Sequence, residues 1–153
     1  MVKFRVELKS LALAALCLLA VEVIAVSVPI EDLLSEYRFT RRFPWYAYWR
    51  LSIAALLTWI VAASVIPYRY PFARWLVWLS ALLFAVFHYY LLLVEATSSV
   101  QVRILPLVYE VKSAGGVVYK LDLPQLVLIA SALQHFFTLR TAPQAASSTR
   151  QTP

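Results

Sequence analysis

Glu22 and His88 are ionisable side chains placed where ionisation is costly. Glu22 is the only charge in the apolar run from Leu11 to Val28, and His88 lies in a second such run that begins near Pro71. A titratable group inside a membrane-spanning segment points to proton or cation passage, to a ligand, or to a polar partner. The first and third apolar segments would run in the same direction. Glu22 lies six residues before Val28, and His88 lies seven before Glu95. At about 1.5 Å per helical residue, both sit roughly 10 Å inside the same membrane face. The spacing predicts an intramembrane polar pair of Glu22 with His88. Glu95 ends the stripe of His88 at the surface, where it would form the mouth of a polar ladder. The plainer reading makes Glu22 a residue that snorkels, stays protonated or pairs with a neighbouring subunit, and makes His88 a packing residue. That quieter role is the preferred expectation.

A second polar stripe, Ser131, Gln134, His135 and Thr138, recurs at helical spacing in the last apolar segment. It is expected to face other helices. That segment runs opposite to the third, so the depths of His88 and His135 differ by roughly 8–9 Å. Two histidines clamping one haem should share a depth, so the spacing argues against haem between them. No metal triad of His, Cys and carboxylate can be assembled. There is no nucleophile–base–acid set, phosphate loop or zinc motif. The chain therefore leans away from being an enzyme, and no cofactor follows from it. The single cysteine, Cys17, can form no intramolecular disulfide and reads as a small packing residue.

The elements that carry these residues are hydrophobic spans. Of 153 residues, 62% are hydrophobic and 14% charged, with mean hydropathy +0.73. Soluble domains run at about 45–50% apolar and about 25% charged. The apolar excess falls into four segments, about 10–28, 45–66, 71–96 and 122–139. The fold class expected is an all-α polytopic membrane protein. It is a four-transmembrane-helix bundle with a small extramembrane β-hairpin, about 100–121, between helices 3 and 4. Residues 1–142 form the membrane domain and 143–153 a disordered polar tail. Lys3, Arg5 and Lys9 precede the first segment, but its apolar run is long for a signal peptide, so it reads as a true span. Only Pro67–Tyr70 separates the second and third spans, which makes them antiparallel neighbours.

Small residues mark packing seams. Ala54, Thr58 and Ala62 are spaced by four on the second span, and Ala81 and Ala85 on the third. A short interfacial helix is expected within Ile30–Phe43, and an aromatic belt over 44–50. The hairpin signature is alternation on either side of Lys112-Ser-Ala-Gly-Gly. Tyr109, Val111, Val117, Tyr119 and Leu121 are expected on one apolar face, and Pro106 is expected to interrupt or bend the first strand. Asp122 reads as the N-cap of the last span.

The net charge is +6. Most of the basic residues flank spans, so they read as headgroup anchors rather than a nucleic-acid surface. Shorter and more densely basic loops place both termini in the cytoplasm, in the cell membrane. The absence of Asn, with one Met and one Cys, fits a heat-adapted source. The leading expectation is a non-catalytic subunit of a respiratory, electron-transfer or transport assembly, acting in assembly or stabilisation. Its partners would be the bilayer and other membrane subunits, or further copies of itself. The alternatives are a small proton- or cation-coupled transporter using Glu22 with His88, and a quinone- or haem-binding redox membrane protein.

Overall fold

The computed structural model describes residues 2–28, 43, 45–96, 101–113 and 115–141. The interfacial helix expected before Phe43 and the polar tail lie outside the described residues. The described chain is mostly helical. Its elements are α1 (Val2–Ser27), α2 (Tyr46–Val65), α3 (Pro71–Ala96), β1 (Gln101–Leu105), β2 (Val108–Ser113), β3 (Gly116–Leu121) and α4 (Leu123–Thr141). Glu7–Ser27, Tyr46–Val65 and Pro71–Val94 are long and apolar enough to cross a membrane, whereas the apolar part of α4, Leu123–Thr138, is shorter.

Leu and Ala dominate the helices, and prolines fall at their ends, where a missing N–H does least harm. Ile66, before Pro67, is extended and ends α2. Pro71 opens α3 and Pro124 lies in the first turn of α4.

Helix α3 is the hub and packs against α1, α2, α4 and β1. Its buried residues follow a helical stripe through Ala73, Leu76, Val77, Ser80, Ala81, Phe84 and Ala85. Ser80 satisfies its own hydroxyl on Leu76 O at 2.7 Å. One core joins Ala14 and Leu18 of α1, Ala62 of α2, Tyr68, and Leu76 and Val77 of α3. A second joins Ala55, Ala81, Phe84 and Val127. Among the described side chains of α1, Ala14, Leu18 and Glu22 are the buried ones, each four residues from the next. Its Leu13, Leu16, Leu19, Val23 and Ile24 are exposed. That outward apolar surface suits lipid contact.

The hairpin expectation needs correcting. The sheet has three antiparallel strands in the order β1-β2-β3. Pro106 interrupts the run, as expected, and does so by turning the chain. Leu105 pairs with Val108, so Pro106 and Leu107 form a two-residue turn with Leu107 at φ 64°. Proline at the second position with positive φ at the third is the pattern of a type II turn. The expected apolar face also splits. Ser113 pairs with Gly116, which places Val111 opposite Val118 and Tyr109 opposite Lys120. Directly opposite residues share a face. Tyr109 and Val111 therefore point inward, where they pack with Leu92 of α3. Val117, Tyr119 and Leu121 lie on the other face and are exposed.

Candidate functional site

Glu22 is buried through its place on the inward stripe of α1, at 6% exposure. Among the described residues, neither carboxylate oxygen has a hydrogen-bond partner. The residue lines a lateral groove of about 700 Å³ walled by Leu18, Leu19 and Val23 of α1, Leu51 of α2, and Leu83 and Phe87 of α3. Above it, Arg50 closes the end of α1. Its guanidinium donates to Val26 O at 3.2 Å and to Val28 O. A cation on the last carbonyls of a helix satisfies orphan acceptors and complements the dipole.

His88 lies on another side of α3. It lines a cavity of about 590 Å³ with Trp45, Trp49, Phe84, Leu92 and Tyr109. Its Nε2 is buried and has no hydrogen-bond partner among the described residues. Glu22 and His88 therefore line separate cavities and make no hydrogen bond to each other. The helical backbone reaches Glu95, but its side chain lies outside the described residues.

The second polar stripe faces α2 and the turn that follows it. Ser131 Oγ accepts from Trp59 Nε1 at 2.8 Å and donates to Val127 O at 2.8 Å. Gln134 Nε2 donates to Ala63 O at 3.2 Å, and Thr138 Oγ1 to Gln134 O at 2.8 Å. His135 Nδ1 is hydrogen-bonded to the Tyr68 hydroxyl at 3.3 Å, beside the ring of Trp78. Burial raises the pKa of Tyr68, against the opposing influence of Trp78 and Arg74. His135 shares this end with the Arg74–Glu7 ion pair at 3.7 Å. The two histidines lie against different stretches of α3, His88 beside Tyr109 of the sheet and His135 of α4 beside Trp78 and the turn after α2. Of the small-residue seam, Ala62, Ala81 and Ala85 are buried. Ala54 and Thr58 are half-buried, joined by a Thr58 Oγ1 bond to Ala54 O at 2.9 Å. Ala55, like Ala62, is fully buried on α2.

The most completely satisfied polar cluster is one that sequence reasoning largely missed. Asp122 is fully buried. Its Oδ1 accepts from Gln125 N at 3.1 Å, the N-cap bond of α4. Gln125 Nε2 donates to Oδ2 at 2.7 Å, and the Tyr89 hydroxyl donates to the carboxylate at 3.0–3.1 Å. Gln125 also clamps the first sheet turn. It donates to Leu105 O and accepts from Leu107 N, both at 2.9 Å. Asp122 N adds a bond to Leu107 O at 2.9 Å. The Asp-x-x-Gln spacing resembles a capping box and was the available signal.

Among the described residues, no group of three His, Cys, Asp or Glu side chains could hold a metal ion. No protein-family model, curated protein or solved structure matches the chain.

Proposed function

We propose that the chain is a non-catalytic subunit of a larger assembly in the cell membrane, acting in assembly or stabilisation. In this reading α4 completes a four-span bundle, with both termini in the cytoplasm and the sheet outside. The occupant of the α1–α3 groove is a transmembrane helix of another subunit carrying a basic or other hydrogen-bond-donating side chain. The observation that carries the reading is Glu22. A carboxylate held inside an apolar groove with no hydrogen-bond partner among the described residues is costly. A donor on a neighbouring helix removes that cost and fills the groove. The exposed apolar strand β3 offers a second contact surface outside the membrane. Coupled transport has less support, because Glu22 and His88 do not meet.

The test is native purification in mild detergent, with and without Glu22→Leu. The expected result is a discrete, stoichiometric partner that the substitution releases while this chain stays folded. A cysteine at Val86→Cys, on the groove wall, should crosslink to a transmembrane segment of that partner in a Cys17→Ala background. A clean monomer or homodimer from native membranes overturns the proposal, as does a complex indifferent to Glu22→Leu.

A further inference from the structure

The cavity beside His88 is separate from the Glu22 groove and does not depend on the subunit reading. It lies between α2 and α3, with Tyr109 of β2 and Leu123 of α4 at its sheet side. At about 590 Å³ it falls within the range of roughly 300–1,000 Å³ typical of small-molecule sites. Its lining is mostly apolar and rich in rings, with Trp45, Trp49, Phe84 and Tyr109. Such walls favour a planar aromatic guest. His88 contributes to the wall, and its Nε2 has no partner among the described residues.

We propose that this cavity binds the head group of a membrane quinone, with one ring oxygen hydrogen-bonded to His88 Nε2. Nε2 is buried in the structure, so the proposed hydrogen bond requires the imidazole to turn towards the cavity. The redox pair suits either imidazole tautomer. A quinone carbonyl accepts from N–H, and a quinol hydroxyl donates to the bare nitrogen. The position fits a lipid-soluble ligand, because α2 and α3 are both long and apolar enough to span a membrane. The walls hold the ring while an apolar tail runs out between the helices. Haem fits less well. His135, the only other histidine, is engaged by Tyr68 in the turn after α2. The proposal concerns binding and includes no electron transfer.

The experiment uses the whole protein in nanodiscs, titrated with a decyl-substituted benzoquinone and followed by tryptophan fluorescence. Trp45 and Trp49 line the cavity, so occupancy should quench a saturable fraction of the emission. That fraction should largely vanish in a Trp45→Phe, Trp49→Phe double variant. His88→Leu should weaken apparent affinity about tenfold or more, and His88→Gln, which keeps a hydrogen-bonding group, should recover part of it. Each variant is checked for an unchanged thermal transition. Quenching that rises linearly without saturation means partitioning into lipid alone and overturns the proposal. A saturable curve unchanged by His88→Leu overturns the assigned hydrogen bond. Relief of the saturable quenching by decanol at the concentration at which the quinone itself saturates overturns recognition of the ring.

Discussion

Glu22 on α1 and Asp122 at the start of α4 are both buried carboxylates, at 6% and 0% exposure, yet their surroundings differ in kind. Asp122 accepts hydrogen bonds from Tyr89 and from the main chain and side chain of Gln125. Glu22 has apolar walls and no hydrogen-bond partner among the described residues. A buried carboxylate with its donors supplied from within ties its own fold together. One without them leaves a demand that, in the proposed assembly, a neighbouring subunit meets. Burial does not separate these roles; the inventory of donors does.

Substitution can push this contrast until it fails. The largest effect is expected at the satisfied end. Asp122→Leu removes the α4 cap and takes the acceptor from the half-buried Tyr89 hydroxyl and Gln125 main-chain N–H, costing about 3 kcal/mol. Reversible unfolding in mixed micelles measures this, and a loss below about 1 kcal/mol would show that the carboxylate holds nothing. Gln125→Ala should cost about 2 kcal/mol, since its amide bridges the cap and the first sheet turn. Hydrogen exchange should then quicken at Leu107 N before it does in the helices. Glu22→Leu should act in the opposite direction. Replacing an uncompensated buried carboxylate by an apolar side chain should stabilise the isolated chain by about 1.5 kcal/mol. If the isolated variant unfolds more easily instead, Glu22 has an internal partner and the contrast with Asp122 collapses. The smallest change sharpens the picture at the turn. Leu107→Gly relieves a left-handed backbone at a partly exposed side chain and should add about 1 kcal/mol. No gain would mean that the Gln125 clamp already offsets the strain.

Hydropathy made the long apolar helices legible, and alternation around the glycines located the β2–β3 turn. The first sheet turn was hidden, because leucine gives no hint of positive φ and its support comes from Gln125, far along the chain. The split apolar face came from turn length. Pairing Ser113 with Gly116 sets odd residues of β2 against even residues of β3, a consequence that alternation alone does not reveal. The inward direction of Glu22 was not legible, because α1 is apolar all round and the Ala14–Leu18–Glu22 stripe emerges only from burial. Nor was its separation from His88. Because α3 has neighbours on several sides, a buried stripe on it does not say which neighbour each residue meets. Residues Leu76 and Val77 join the core with α1 and α2, Phe84 the one with α2 and α4, and Leu92 the one with the sheet. Helix rise speaks to depth alone and says nothing of the angular positions of Glu22 and His88 around α3.

The narrow inward stripe of α1 also has a consequence in time. Synthesis delivers α1 to the bilayer before α3 exists, yet much of the wall around Glu22 is α3, through Leu79, Leu82, Leu83, Val86 and Phe87. Helices enter lipid first and associate afterwards. The newborn α1 therefore carries a carboxylate facing bare lipid until its third-span neighbour arrives. For the partner proposed above, that interval is the earliest opportunity to engage the chain, before the groove has both of its sides.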